Sequence, residues 1–155
     1  MVRLSDLPDY EREHLISKDL PPLGPPTWTP QSKPIEDMRI ALITTAGLHF
    51  RNATGFGFID SDFRPIPAEA DANDLIMSHS SANFDRSGFA DDVNLVFPID
   101  RFRELEEASR IGSLASIHYS FMGAGLLPQA YEESASQVAG LLKQDQVDAV
   151  FLTPV

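Results

Sequence analysis

Gln146-Val147-Asp148-Ala149-Val150-Phe151-Leu152-Thr153-Pro154-Val155 closes the 155-residue sequence and decides how the rest is read. Between 147 and 152 there are five apolar residues, interrupted only by Asp148. A short apolar run of this kind reads as a strand buried on both faces, as in a parallel sheet covered by helices. In open α/β sheets, ligands gather just beyond the carboxyl ends of the strands. Here a loop and a covering helix are expected where the sequence stops, so the C-terminal part of the fold is expected to be missing.

Working back from that strand, Pro128 to Lys143 has the pattern of a helix. Pro128 suits a first turn, Glu132 and Glu133 lie near the positive end of the dipole, and Lys143 lies near the negative end. Ala135, Val138, Ala139 and Leu142 keep an apolar stripe at helical spacing. Leu114 to Phe121 reads as a strand. Asp100 is placed to cap a helix running to about Arg110, with Gly112 at its C-terminal end. Val93 to Phe97 is a further apolar run, stopped by Pro98, and Asp74 to Ser78 is a candidate strand. Arg39 to Thr45 is apolar and β-branched, suited to a buried strand. Between them, 52 to 67 carries Gly55, Gly57, Pro65 and Pro67 and reads as a long loop with a short strand near Phe56 to Ile59.

Strands alternating with helices predict an α/β fold: an open, mostly parallel sheet with flanking helices, three-layered and Rossmann-like. Ahead of it, Asp9 can cap a short helix over 8 to 20, and prolines at 21, 22, 25, 26, 30 and 34 predict an extended arm. The expected division is residues 1–37 as helix and proline-rich arm, and residues 38–155 as the N-terminal portion of the α/β domain.

The composition narrows the function. With 23 acidic against 12 basic residues, the net charge of −11 repels phosphate backbones and argues against a nucleic-acid partner. There is no cysteine, so no thiolate metal site, disulfide or cysteine nucleophile lies within these residues. No apolar run is long enough to span a membrane, and the first residues lack a signal-peptide core; a cytoplasmic location is the expectation.

Three predicted strands run into clusters of small and polar residues: Thr44-Thr45-Ala46-Gly47-Leu48-His49, Ser78-His79-Ser80-Ser81-Ala82-Asn83 and His118-Tyr119-Ser120-Phe121-Met122-Gly123. A parallel arrangement brings them to one rim, and three of the four histidines lie in or beside them. The turns lack a nucleophile elbow, a dinucleotide fingerprint and a Walker loop. Asp60-Ser61-Asp62 and Asp91-Asp92 fit no calcium-loop pattern, and no metal site is expected.

With those turns in view, the chain resembles the selenoprotein B family of glycine, sarcosine, betaine and D-proline reductases. The resemblance is carried by Ile43 to His49, by Met77-Ser78-His79-Ser80-Ser81-Ala82-Asn83-Phe84-Asp85-Arg86-Ser87-Gly88, by Asp92 to Arg101, by His118 to Gly123 and by Asp148 to Val155. It implies a subunit of a selenocysteine- or cysteine-dependent reductase that cleaves a C–N bond of a small amine or amino acid. The redox residue is expected immediately after Val155, so no catalytic residue is assigned within the chain. A selenol or thiol at the start of the helix that follows a strand is ionised more readily by the helix dipole and free amides. The implied partners are a pyruvoyl-bearing subunit that holds the amine and a thioredoxin-type dithiol; no cofactor is expected within the chain itself, and homo-oligomerisation is left open. Residues present can only shape the pocket: His79, Ser80, Ser81, Asn83, Thr45, His49 and His118 are the candidates for substrate binding. Two other readings stand beside it: a non-catalytic ligand-binding or assembly module lacking the redox residue, and an isomerase- or racemase-like enzyme with paired acid/base residues.

Overall fold

The computed structural model describes residues 3–18, 21–22, 24–26, 28–81 and 86–155. They fall into two compact units, residues 1–30 and 31–155. In the first, helix α1 (Asp9–Ile16) starts at Pro8, which occupies the N-cap with no side-chain capping bond. Asp9, expected to be the cap, is instead the first helical residue and pairs with Arg12 one turn on.

The second unit is organised on strand β1 (Arg39–Thr44), which is paired along both edges. One edge carries the parallel strand β7 (Ala149–Thr153), from Ile40 opposite Ala149 to Thr44 opposite Thr153. Along the other run β5 (Ser113–Leu114) and β6 (Ile117–Phe121), also parallel. Strand β3 (Phe63–Pro67) then adds antiparallel to β6. Pro65 and Pro67 are tolerated there because β3 is an edge strand, where half the amides have no ladder partner to lose. The sheet is therefore mostly parallel, with helices on both faces, as the α/β expectation requires.

The predicted single strand over 114–121 is broken into β5 and β6. Ile40 pairs with Leu114 and Ile43 with Tyr119, so three steps along β1 face five along its neighbour. The slack leaves the Leu42 amide without a backbone carbonyl, and the His118 ring takes its place: Leu42 N donates to His118 Nδ1 at 3.1 Å. A buried amide left unpaired costs roughly 1–3 kcal/mol, so the ring holds the sheet together at its centre.

One face of the sheet, with Ile40 and Leu42, packs on Val96, Phe97, Ile99 and Ile111. Val96 and Phe97 follow a 3₁₀ turn at Val93–Leu95, Ile99 opens α3 (Ile99–Glu107), and Ile111 lies beyond the C-terminal end of that helix. The apolar run 93–97 thus forms a turn and not a strand. The Asp92 carboxylate accepts the Asn94 amide at 2.9 Å, and Asn94 Oδ1 in turn accepts the Asp100 amide at 3.0 Å. Asn94, rather than Asp100, therefore supplies the side-chain oxygen at the start of α3. The helix ends at Ala108 with Ser109 at φ 53°; Gly112 lies beyond, where its bare Cα passes against the Asp37 backbone. On the opposite face, Tyr119, Phe121 and Ile43 pack on Val138 and Leu142 of α4 (Glu132–Gln144), preceded by a 3₁₀ turn from Pro128.

Three further expectations are corrected. The 74–78 segment does not join the parallel sheet: β4 (Leu75–Met77) pairs antiparallel with β2 (Leu48–Phe50) in a separate ribbon. No strand forms at 56–59, where Phe58 and Ile59 are exposed; the strand of that region is β3. Strand β7 is not buried on both faces. It is an edge strand with Val150, Phe151 and Leu152 at 39%, 44% and 67% exposure. Among the described residues its one strand neighbour is β1, and its cover is partial: Phe102 of α3 meets Phe151 at 5.0 Å between ring centroids. Among the described residues, no helix is long and apolar enough to cross a membrane.

Burial is the main cause that depresses the basicity of His118 from the ordinary 6.5 to about 4, with the Arg103 charge next. The unfolded chain therefore takes up this proton first. The stability tied to the neutral ring is complete above about pH 6.5 and is lost as pH falls towards 4, up to about 3 kcal/mol. Urea unfolding at a series of pH values checks this. In His118→Gln, whose amide oxygen can accept the Leu42 N–H, the loss over that window should be smaller; an unchanged pH profile would contradict the assignment.

Candidate functional site

The carboxyl end of β1 is where the rim turns meet. Thr45 N donates to Thr153 O at 3.1 Å, and Val155 N donates to Thr45 Oγ1 at 2.8 Å. Gly123 N donates to Thr45 O at 2.9 Å, tying in the turn after β6. Gly47 then joins two further segments: its amide donates to Phe121 O at 2.8 Å and its carbonyl accepts Ser78 N at 2.9 Å. So four segments (45–47, 78–81, 121–123 and 153–155) converge through main-chain bonds.

Two glycines make this convergence sterically possible. Gly47 has φ 68°, and a Cβ there would sit 3.1 Å from His79 N. A Cβ on Gly123 would lie 2.7 Å from Thr45 Cβ. The first needs glycine for its left-handed backbone, the second for close approach.

His79 is buried against this junction, at 5% exposure. Its Nδ1 accepts Ser81 N at 3.3 Å, and Arg86 clamps the turn by donating to the carbonyls of His79 and Ser81. Burial, then the Arg86 charge, lower its basicity; a hydrogen bond to the Val155 backbone pulls the other way. The ring is therefore neutral at pH 7. Ser80 Oγ points at Met122 Sδ, 3.7 Å away. Asn83 lies outside the described residues.

His49 stands on β2, next to the same turns. Its Nδ1 is 2.9 Å from Phe50 O and its Nε2 is 2.7 Å from Ser78 Oγ. A carbonyl can only accept, so Nδ1 carries the hydrogen, and in the neutral ring Nε2 accepts the Ser78 hydroxyl. His118, by contrast, is fully buried against Phe97 and bonded to Leu42, away from the rim. Of the sequence candidates, the structure thus brings together Thr45, His79, Ser80 and Ser81, with His49 beside them, and puts His118 in the core.

Ser78, Arg86, Gly47, Gly123 and Val155 were not among the candidates. Gly47's left-handed backbone and the pairing of 48–50 with 75–77 depend on long-range contacts, and no local pattern marks them. Below the junction, a cavity of about 510 Å³ opens between the sheet and α4, lined by Ile43, Thr45, Met122, Tyr131, Val138 and Leu152 among others. It is apolar apart from a few groups, and Thr45 belongs to both it and the rim. Among the described residues, no cluster of three or more His, Asp or Glu side chains could hold a metal ion.

Residues 27–155 match the family described as glycine/sarcosine/betaine reductase selenoprotein B. The chain belongs to that family. It is 40% identical over 136 residues to D-proline reductase subunit gamma of Acetoanaerobium sticklandii, covering 86% of this chain and 55% of that protein. Against glycine reductase complex component B subunit gamma of Symbiobacterium thermophilum, identity is 30% over 139 residues, 80% of this chain and 30% of the relative. Against betaine reductase complex component B subunit beta of Peptoclostridium acidaminophilum it is 26% over 132 residues, 77% and 29%. The chain therefore spans about half the length of the first relative and under a third of the other two. No solved structure matches it.

The Thr45 hydroxyl fixes the 153–155 segment through a bond that valine cannot make. Thr45→Val should lower stability by about 1 kcal/mol, while Thr45→Ser should stay near wild type. Chemical denaturation of the two variants measures this, and equal stabilities would show that the Val155 bond contributes nothing.

Proposed function

We propose that this chain forms the N-terminal part of a reductase subunit that cleaves a C–N bond of a small amine or amino acid, such as D-proline, glycine, sarcosine or betaine. Family membership supports the class of reaction. The observation that carries the reading is the pinning of Val155. Thr45 Oγ1 accepts its amide, and His79, neutral and buried, contacts its backbone. A residue following Val155 would leave a fixed anchor beside an imidazole, at the carboxyl end of a parallel sheet, the usual place for chemistry in such folds.

These residues fit a selenocysteine or cysteine at that next position. A selenolate or thiolate would supply the nucleophile and the redox couple, and a dithiol of the thioredoxin type would regenerate it. The work of this chain is to hold and orient. Thr45 and Gly123 set the path of the backbone, Arg86 fixes the 79–81 turn, and the Ser80 hydroxyl, in long contact with Met122 Sδ, is a group that a small polar substrate can bind. His79, lacking a charge at pH 7, can accept a proton without first having to lose one. The apolar cavity beneath Thr45 gives carbon atoms of the substrate, or an apolar side chain packed from elsewhere, a place out of water. A pyruvoyl-bearing partner subunit is the proposed holder of the amine, and the cytoplasm the proposed location.

The test is turnover by the full-length reductase with its partner subunit, a dithiol and each of the four amines. Dithiol-dependent cleavage of at least one amine is expected, and His79→Ala should reduce it on the order of 100-fold. Binding of amines with no cleavage of any would overturn the reading in favour of a non-catalytic binding module.

A further inference from the structure

The face of the sheet that carries α4 is covered over β6 and β1 but not over β7. In the register of β7, Val150 and Leu152 stand opposite Ala41 and Ile43 and share the α4 face, where Ile43 packs with Val138. Phe151, opposite Leu42, turns to the other face and meets Phe102 of α3. Leu152 is the most exposed residue of the strand, with Val150 exposed beside it. Across from them Ala135, Ala139 and Leu141 of α4 are exposed too. Leu152, Ala135 and Ala139 belong to the wall of the 510 Å³ cavity, which is therefore an apolar groove open along the α4–β7 seam. Among the described residues, the outer edge of β7 has no strand neighbour. Exposed apolar side chains beside an unpaired strand edge mark a surface that another element covers.

We propose that the segment following Val155 in the full-length subunit packs as a helix into this groove, beside α4, and returns as a further parallel strand on the outer edge of β7. The proposal takes from the reductase reading above only that the chain continues past Val155. Chain is available for it in the relatives: the match covers 55% of D-proline reductase subunit gamma. The starting point is fixed as well. Thr45 Oγ1 accepts the Val155 amide, and Thr45 itself lines the groove, so a helix that begins after Val155 enters at the groove's end without a long linker.

Handedness selects the face. The connection from β1 to β6 runs one way across the sheet with α3 on one face, and the connection from β6 to β7 runs the other way with α4 on the opposite face. Opposite directions on opposite faces give both connections the same hand, and parallel connections are right-handed in about 98% of cases. A next strand outside β7 continues in the direction of the second connection, so its helix falls on the α4 face. That is the face where Leu152 stands exposed. Ala135 and Ala139, four residues apart on α4, present a shallow strip that lets a neighbouring helix approach closely. The groove is then filled by protein, and its apolar wall is a packing surface in place of a substrate pocket. The first turn of the added helix lies at the Thr45–Gly123 rim, where its free amides face the residue after Val155.

Hydroxyl-radical footprinting of the full-length subunit, alone and at successive dilutions, reads the exposure of these side chains directly. Val150 and Leu152 should be protected to the level of buried Leu42, while Phe58 and Ile59 are oxidised as exposed references. Ala139→Trp should lower Tm by on the order of 5 °C, because a ring placed in an occupied groove overpacks it. Ile59→Trp, on an exposed loop, should leave Tm unchanged. Free oxidation of Leu152 overturns the proposal, as does an Ala139→Trp variant as stable as wild type. Protection lost on dilution overturns it in favour of a second copy, and protection that needs the partner subunit overturns it in favour of that subunit. Turnover separates this proposal from the reading beneath it: a subunit protected in this way that cleaves none of the four amines keeps the groove assignment, and the reductase reading falls.

Discussion

A strand paired on both edges must satisfy every amide along its length, and β1 does so against a neighbour that is out of step by two residues. The bond from Leu42 N–H to the His118 ring closes that gap. Without it the central strand of the sheet would carry a buried, unpaired donor. The cost is a histidine that must stay neutral, buried against Phe97, with its basicity lowered to about 4. The extra residues between β5 and β6 let the two halves of that strand keep their separate registers. In turn β6 delivers Phe121, Met122 and Gly123 to the level of Thr45. The geometry of the rim therefore depends on a repair made in the middle of the sheet.

At the rim itself, main-chain bonds do most of the assembly. Thr45 and Gly47 bind the turns after β6 and β4, and Thr45 also holds the segment after β7. Small residues are required because backbones approach within van der Waals contact at Gly47 and Gly123. Onto this frame the fold hangs two histidines of different character. His79 is a neutral ring set against the Val155 backbone, and His49 is a ring whose hydrogen is fixed by a carbonyl and whose free nitrogen faces a hydroxyl. In the proposed reductase reading, this arrangement makes the β7 end the place for chemistry.

The sequence revealed the parts whose signals are local. The 128–143 helix, the β1 and β7 runs and the small-residue turns could each be read from spacing and composition. What escaped were features set by distant contacts. The apolar run 93–97 has strand-like composition, but Asp92 and Asn94 turn it into a 3₁₀ cap for α3. Leu75–Met77 looked like a third parallel strand, yet it pairs with Leu48–Phe50 in an antiparallel ribbon, and this is what brings Ser78 to His49. His118 shared the polar context of the rim residues, but a strand sends successive side chains to opposite faces, and His118 points into the core. The β7 run is apolar enough for a covered strand; its exposure depends on what lies beside its free edge, which a local run does not encode.

The central claim is that the rim formed by Thr45, Gly47, His79 and Gly123 positions the reacting residue of the reductase. The most direct measurement is a crystal structure of the full-length reductase subunit. The account predicts the Val155–Thr45 bond intact and the selenium or sulfur of the residue after Val155 within about 4 Å of the His79 ring, near hydrogen-bond reach. A redox residue elsewhere, or a β7 end that has left Thr45 and His79, would contradict it.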